Sequence, residues 1–300
     1  MTGRRSCRRP REALTFLAFA GPNLVLFAVF TYWPMLHTLY LSFMDGGLLP
    51  GDMRWAGMAN YLALARDPAF RRVCLNTVLY ALVVVGVAQA AAFLFAHLLN
   101  QHVRGRVVFR TLAFTPHMTT PAAAALAWVL LLDPNYGPLA SLYGALGVDG
   151  PHWLRDSMLA LGALMFVGVW KELGFASVFF LAGLQGLPRD CYEAARIDGA
   201  SRWATLRHLT LPLMSPVIFF LMVSGLIAAM RAFDVVAMMT EGGPVYPDSS
   251  LYVYHLYTVA FRRFDIGYAA ALAMAFFLVM LAGTLIQFRL ARRWVHYDGV

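Results

Sequence analysis

The sequence predicts an all-α membrane protein with six transmembrane helices. Hydrophobic residues make up 60% of the 300 residues and charged residues 13%, whereas a soluble domain is about half apolar and about a quarter charged. Six apolar segments reach the length of about 20 residues that a helix needs to cross a bilayer. A short amphipathic stretch, residues 193–212 (the central segment), interrupts this pattern between the fourth and fifth segments.

The six segments define one membrane domain with short tails. We predict spans at residues 14–43, 76–99, 107–132, 158–185, 213–238 and 268–287. Pro22 and Pro34 predict bends in the first span, because proline removes a backbone donor from the helix. The predicted domain occupies residues 14–290 and contains a central loop at 187–212, and the tails are residues 1–13 and 291–300.

Basic residues orient this domain in the membrane. A run of arginines precedes the first apolar segment, so the N-terminal tail is expected to stay in the cytoplasm. Counted over all loops, fifteen lysines and arginines lie on the side of that tail and seven on the opposite side, which places both termini and the central segment in the cytoplasm. A cleaved signal peptide is the alternative for the N-terminus, because Ala18-Phe19-Ala20 has the form of a cleavage site. The apolar run continues through Phe30, however, and is longer than the apolar region of a signal peptide.

The central segment is predicted to form two short helices joined by a turn. Its first half mixes small apolar residues with charged ones, so that one face packs on protein while the other stays in water. Gly199 supplies the turn, and a second amphipathic run begins at Ala200 and ends at Leu211-Pro212. Such an element is suited to docking on a cytoplasmic partner. The alternative is an amphipathic loop that lies on lipid headgroups.

The spacing within the central segment resembles the EAA loop of bacterial ABC-importer permeases. That pattern is E-A-A, three residues, G, nine residues, I, one residue and L-P, and here it reads Glu193-Ala194-Ala195, Gly199 and Leu209-x-Leu211-Pro212. Leucine in place of isoleucine is a near-isosteric change. The run Asp198-Gly199-Ala200-Ser201 extends the resemblance to carbohydrate-type permeases, similar to the first permease subunits of multiple-sugar, maltose and glycerol-3-phosphate importers. Weaker motifs in the shared order agree with it, among them Asn76-Thr77, Trp170-Lys171 and Gly242-Gly243-Pro244.

The resemblance implies a type I ABC importer permease, a multi-pass protein of the bacterial inner membrane. The residues that it implies for coupling to the ATPase are Glu193, Ala194, Ala195, Arg196, Asp198, Gly199, Ala200, Leu209 and Pro212. The implied partners are a second homologous permease subunit, two ATP-binding subunits, an extracytoplasmic solute-binding protein and membrane lipid. ATP and Mg²⁺ are then held by the ATPase, and this chain is expected to carry no cofactor of its own. The implied solute is a sugar or a glycerol-3-phosphate or glycerophosphodiester-type compound, and the ending at residues 293–297 is closer to glycerol-3-phosphate permeases.

Residue types argue against several other functions. Lys171 is the one lysine and follows Trp170, so the G-x-x-x-x-G-K-[ST] loop that cradles nucleotide phosphates is absent. The histidines form no H-E-x-x-H motif, and the three cysteines are widely separated, so neither zinc-protease chemistry nor a disulfide framework is indicated. The arginines form no stripe with interleaved aromatics, which argues against nucleic acid as a partner. We therefore expect a subunit without catalysis.

Within the preferred class, the alternative is a permease for another small solute. Two other classes of function also stay open: an ion-coupled secondary transporter and a membrane enzyme. A secondary transporter often shows repeated halves, which do not match here. A membrane enzyme needs a cluster of catalytic polar residues, and the sequence shows none.

Polar residues inside the apolar spans are the candidates for the substrate path. They are Gln89, His117, Thr119, Thr120, Ser177, Ser224, Arg231 and Asp234. The alternative for each is a contact between packed helices. Arg231 offers a guanidinium to a phosphate or carboxylate, and its alternative is an ion pair with Asp234, three residues further along. Lys171 and Glu172 point about 100° apart on a helix, so each is expected to meet a partner helix or a polar cavity.

The predicted extracytoplasmic loops are longer than the turns needed to join helices. They cover residues 44–73, 133–157 and 239–267 and mix Trp and Tyr with charged residues. This composition suits a platform for a solute-binding protein. The alternative is that these aromatic side chains anchor the helices at the headgroup level.

Overall fold

The computed structural model describes residues 10–47, 53–101, 105–244 and 246–295. Most of the predicted basic tail, Arg104 and residues 296–300 lie outside the described residues. In chain order, the described helices are α1 (Pro10–Phe27), α2 (Trp33–Leu41), α3 (Ala59–Arg66), α4 (Pro68–Leu99), α5 (Arg106–Met118), α6 (Pro121–Leu131), α7 (Pro138–Ala145), α8 (Ser157–Gln185), α9 (Arg189–Ile197), α10 (Arg202–Thr205), α11 (Leu211–Leu213), α12 (Ser215–Met230), α13 (Asp234–Met239), α14 (Tyr252–Tyr257) and α15 (Ile266–Trp294). Wider π-helical turns occupy Ala28–Tyr32, Leu206–Thr210 and Thr258–Arg262.

Four helical stretches of the described chain are long and apolar enough to cross a membrane. They are Thr15–Leu41, Pro68–Leu99, Ser157–Gln185 and Ile266–Trp294, and the pair Arg202–Leu213 and Ser215–Met230, bent by 65°, makes a fifth when taken as one span. The predicted third span, residues 107–132, is divided into α5 and α6. The count of six spans therefore stays a prediction, in which the third is a broken helix.

Aspartates start the two long helices that carry most of the interior. The carboxylate of Asp67 accepts a hydrogen bond from the Ala69 amide at 2.8 Å, directly before α4. Asp156 accepts from the amides of Met158 and Leu159 at 2.9 and 3.0 Å, directly before α8. These caps satisfy N–H groups that have no partner within the helix, so both helices begin ahead of the predicted spans at 76 and 158.

The described chain divides into two compact units. The first contains the described residues up to 64 together with 259–275. Its strands β1 (Met44–Asp45) and β2 (Arg54–Trp55) form an antiparallel hairpin. The side-chain amide of Asn60 donates to the carbonyl oxygens of Ser42 and Met44 at 3.0 and 2.7 Å, so one buried side chain ties α3 to the approach of the hairpin.

The second unit contains residues 65–258 together with the described residues from 276 onward. Helices α4 and α8 pack along each other and form its centre. Gly168 lies at a tight contact between them, where an added Cβ would meet the Tyr80 hydroxyl at 2.6 Å. Small residues allow such close packing of membrane helices. Two apolar clusters, one around Leu164 and the other around Phe180, lie at successive levels along these two helices.

The loop after α13 folds over the first turns of α4. The buried side-chain amide of Asn76 lies 2.8 Å from the carbonyl oxygen of Asp248 and 3.3 Å from that of Ser250. The neighbouring Thr77 hydroxyl accepts from the Tyr252 amide at 2.9 Å. The Asn-Thr pair therefore supplies the backbone partners that this loop lacks within itself.

Candidate functional site

The first half of the central segment lies on the amphipathic helix α9. Gly199 follows its end with φ +72°, the left-handed conformation that glycine adopts without strain. The amide of Ala200 donates to the carbonyl oxygen of Ala195 at 2.9 Å and closes the helix end. The predicted turn at Gly199 is therefore present.

The second half of the central segment differs from the prediction at both ends. It begins as a helix at Arg202 instead of Ala200, because Ser201 is extended and its hydroxyl accepts from the Ala204 amide at 3.2 Å as the cap. It does not end at Leu211-Pro212. Pro212 lies in α11, which continues the helix from Arg202 through the π-helical turn, and the chain bends into α12 only at Met214.

A hydrogen bond joins α9 to the second half of the central segment. The hydroxyl oxygens of Tyr192 and Thr210 lie 3.0 Å apart, and Thr210 is buried. Burial raises the pKa of the Tyr192 phenol above its ordinary value, and the hydrogen bond with Thr210 opposes this rise. The phenol therefore stays protonated at neutral pH and is available as a donor.

The implied coupling residues line the outside of this element. Glu193, Ala194, Arg196, Asp198, Gly199 and Ala200 are exposed, and Ala195, Leu209 and Pro212 are half-buried. Two large apolar side chains are also exposed, Ile197 at 86% and Trp203 at 68%. The element therefore presents both charged and large apolar side chains at its surface.

The candidate substrate path is a cavity between two broken helices. One break is at Thr119 and Thr120, which are extended between α5 and α6. The other is at Arg231, Ala232 and Phe233, between α12 and α13. Both breaks line a cavity of about 280 Å³. Irregular backbone at membrane depth is tolerated where it is buried in protein or lines a cavity.

The cavity brings together some of the predicted path residues. His117, Thr119, Arg231 and Asp234 line it. Gln89, Thr120, Ser177 and Ser224 do not. The Ser177 and Ser224 hydroxyls donate to carbonyls within their own helices, at 2.9 Å to Gly174 and 2.8 Å to Phe220, and Thr120 caps α6.

Arg231 and Asp234 are not an ion pair in the described chain. The alternative of a mutual ion pair assumed one continuous helix, in which residues three apart are neighbours. The break separates them instead, since Arg231 follows the last residue of α12 and Asp234 is the first of α13. Within the described residues, no carboxylate lies within 4 Å of the Arg231 guanidinium. This exposed side chain lines the cavity.

Lys171 and Glu172 face the same cavity. The Lys171 ammonium donates to the carbonyl oxygens of Pro116 and Thr119 at 3.0 and 2.8 Å. The prediction that each charge meets a partner helix or a polar cavity is therefore confirmed. Tyr80 also lines the cavity, although it is not among the predicted path residues. Its phenol is a polar group within an alanine- and valine-rich helix, and this is the signal that could have identified it.

The chemistry of these residues suits passage of a polar solute. The cavity offers cations, carboxylates and the hydroxyl groups of Tyr80 and Thr119 within an apolar surrounding. Over the described residues, no group of three or more His, Cys, Asp or Glu side chains is placed to hold a metal ion.

The chain is similar to known proteins over most of its length. The family model described as binding-protein-dependent transport system inner membrane component matches residues 83–296. The chain is 32% identical to the sn-glycerol-3-phosphate transport system permease protein UgpA of Yersinia enterocolitica over 296 residues, 98% of this chain and 100% of the relative. It is also 32% identical to the UgpA protein of Salmonella typhi, over 93% of this chain and 94% of that one.

Solved structures share the fold. A crystal structure of a bacterial alginate ABC transporter in complex with an alginate pentasaccharide-bound periplasmic protein contains a chain that is 22% identical, with a TM-score of 0.85 and coverage of 99% of this chain and 100% of that one. A second structure, of a bacterial ABC transporter involved in the import of alginate, is 23% identical with a TM-score of 0.83 over 95% and 96% of the two chains. Sequence and fold together show that the chain belongs to the family of inner-membrane components of binding-protein-dependent transport systems.

Proposed function

We propose that this chain is the permease subunit of an ATP-driven importer and forms half of the path for a sugar or a glycerol-3-phosphate-type solute. The observation that carries the proposal is the position of the central segment. It lies directly between α8, which lines the cavity with Lys171 and Glu172, and α12, which leads to the break at Arg231. Movement of that segment therefore acts on both walls of the cavity.

The proposed mechanism couples nucleotide to solute through the central segment. This segment docks on a cytoplasmic ATPase subunit, and closure of two such subunits on ATP and Mg²⁺ displaces it. A ligand shifts a conformational equilibrium only by its different affinity for the two states. Both ATP and the loaded binding protein must therefore prefer the outward-open state for solute and nucleotide to be coupled.

The remaining partners are proposed on the same basis. An extracytoplasmic solute-binding protein delivers the solute to the outer loops, which expose Trp55 and Tyr136. A second, homologous permease subunit completes the path, and both termini of this chain face the cytoplasm. A neighbour in fold that is crystallised with its periplasmic protein supports the first of these partners.

Arg231 is the residue that we propose to recognise the solute. Its guanidinium is exposed in the cavity without a carboxylate within 4 Å among the described residues, and a guanidinium binds phosphate through two parallel hydrogen bonds. The curated relatives named for sn-glycerol-3-phosphate transport support a phosphorylated solute. Glycerol 3-phosphate is therefore the first solute to test, and an uncharged sugar is the second.

The test is purification of the chain with its native partners and reconstitution in vesicles. We expect an ATPase to copurify and the loaded binding protein to stimulate its hydrolysis of ATP. Glu193→Lys and Gly199→Pro disrupt the central segment and should abolish this stimulation. Gly162→Ala is the matched control, because within the described residues no atom beyond the local helix lies within 4 Å of the added Cβ. Full stimulation in the two disruptive variants would refute the proposed docking.

A further inference from the structure

Lys171 joins the broken third span to α8. Its ammonium on α8 donates to the Pro116 carbonyl at 3.0 Å, in the last turn of α5, and to the Thr119 carbonyl at 2.8 Å, in the break itself. The Thr119 hydroxyl donates to the same Pro116 carbonyl at 2.7 Å. Lys171 on α8 and Thr119 at the break therefore both supply donors to the carbonyl groups there.

These carbonyl groups require donors because the helix no longer provides them. The last carbonyls of any helix lack intrahelical partners, and here the following residues are extended instead of helical. Pro121 removes a further N–H at the start of α6. In a membrane no water is present to pair with an unsatisfied backbone group, so such a group is strongly unfavourable. A cation is also favoured at this position, because a helix C-terminus carries partial negative charge.

The same part of α8 is held tightly against α5. Gly174 lies so close that an added Cβ would meet the carbonyl oxygen of Ala113 at 2.0 Å and the Phe114 Cα at 3.0 Å. The rings of His117 and Phe175 stack at a centroid distance of 4.7 Å. Lys171 lies next to these close contacts between α8 and α5, and its ammonium reaches the break.

Helix α8 is continuous from this contact to the central segment. It runs without interruption from Lys171 to Gln185, a distance of about 21 Å along the axis, and α9 begins after only three residues, at Arg189. A displacement of α9 is thus carried by one helix to the level of the cavity. Lys171 lies on the cavity wall at that level.

We propose that Lys171 is a positioning residue which fixes the break between α5 and α6 to α8, so that movement of the central segment reshapes the cavity. The inference rests on the proposed function, because it names the part that passes movement from the ATPase to the solute path. The solute itself need not touch Lys171. The ammonium supplies two hydrogen bonds between α8 and the break between α5 and α6, which must move together.

The experiment compares Lys171→Met with Lys171→Arg in the reconstituted complex. Methionine keeps the length of the side chain and removes every donor, whereas arginine keeps the charge and the donors. We expect the amount of solute transported per ATP hydrolysed to fall about tenfold in Lys171→Met, the effect of losing a hydrogen bond to a charged group. Lys171→Arg should restore most of this ratio, and the control Gly162→Ala should leave it unchanged.

A distance measurement separates this role from a merely structural one. Spin labels at Leu112 and Leu130, exposed on either side of the break, report the angle between α5 and α6 in a cysteine-free background. In the parent protein ATP should change this distance, and in Lys171→Met the change should be lost while the complex still assembles. An unchanged response in Lys171→Met, or a loss of assembly that Lys171→Arg does not repair, would overturn the proposal. A parent complex without stimulated ATP hydrolysis would overturn the proposed function, and this inference with it.

Discussion

The hydroxyl of Tyr192 lies 3.0 Å from the hydroxyl of Thr210, and this contact joins α9 to the second half of the central segment. The residues are separated by the turn at Gly199, where among the described residues no atom beyond the chain neighbours lies within 4 Å of an added Cβ. The turn itself is therefore not held by packing, and the angle between α9 and the helix that begins at Arg202 depends on contacts away from the turn. Tyr192–Thr210 is one of those contacts.

Tyr192→Phe should weaken coupling without preventing assembly. The substitution keeps the ring and removes one hydrogen bond, whose net contribution is about 0.5–1.5 kcal/mol. We expect solute transported per ATP hydrolysed to fall by at most about tenfold, since about 1.4 kcal/mol corresponds to a factor of ten. The control is Tyr32→Phe, because Tyr32 is 58% exposed in the first span and has no part in the proposed docking or solute path. If both variants transported the same amount of solute per ATP hydrolysed, the Tyr192–Thr210 contact would have no role in coupling.

Gly174→Ala should destabilise the protein, because its Cβ has no space against the α5 backbone. The Ala113 carbonyl oxygen at 2.0 Å from the added atom belongs to a helix and cannot rotate away. Overpacking of this kind costs about 1–3 kcal/mol. Thermal unfolding of the purified protein in detergent measures the loss. Gly162→Ala, on the same helix and without such a neighbour, should raise or preserve the unfolding temperature, and similar temperatures for both variants would contradict the packing of α8 on α5.

Asn76→Ala should loosen the loop that covers the start of α4. The buried amide lies 2.8 Å from the Asp248 carbonyl oxygen, and a buried carbonyl that loses its partner costs about 1–3 kcal/mol. We expect faster proteolysis of the loop near residue 248 and a lower unfolding temperature. Asn135→Ala is the control, because Asn135 is exposed. Unchanged protection of the loop in Asn76→Ala would show that the amide is dispensable.

Arg231→Gln should reduce uptake of an anionic solute more than uptake of an uncharged one. Glutamine removes the positive charge but keeps a hydrogen-bonding group, whereas Arg231→Lys keeps the charge and loses the two parallel hydrogen bonds. We expect glycerol 3-phosphate uptake to fall about tenfold or more in Arg231→Gln, because charged hydrogen bonds contribute about 1.5–3 kcal/mol, and by less in Arg231→Lys. Assembly of the complex should be unaffected. Normal uptake by the glutamine variant would remove Arg231 from the solute path.

The features that sequence predicts well here are the local ones. Gly199 was recognisable because a glycine between two amphipathic runs has few other roles, and the structure gives it a positive φ. The long apolar helices α4, α8 and α15 were recognisable from composition, because length and apolar content alone identify a membrane-spanning helix. Their early starts depend on Asp67 and Asp156, whose capping role is also local.

The features that sequence did not predict depend on contacts between distant residues. Pro116 and Pro121 mark the third span as unusual, but the donors that stabilise the break come from Lys171, 50 residues or more away. The spacing of Arg231 and Asp234 suggested a pair on one helix, and the break between α12 and α13 separates them. Tyr80 joined the cavity only because Gly168 on another helix leaves room for its hydroxyl.

Photo-crosslinking tests the central claim most directly, the docking of residues 193–212 on a cytoplasmic ATPase subunit. A photoreactive amino acid is placed at Ile197, 86% exposed at the end of α9, and separately at Met158, 85% exposed at the start of α8. The two sites match in exposure and are predicted to lie on opposite sides of the membrane. The account predicts an adduct with the ATPase subunit from position 197 and none from position 158. The account would be contradicted by an ATPase adduct from position 158, or by the lack of an ATPase adduct from position 197 in an assembled complex.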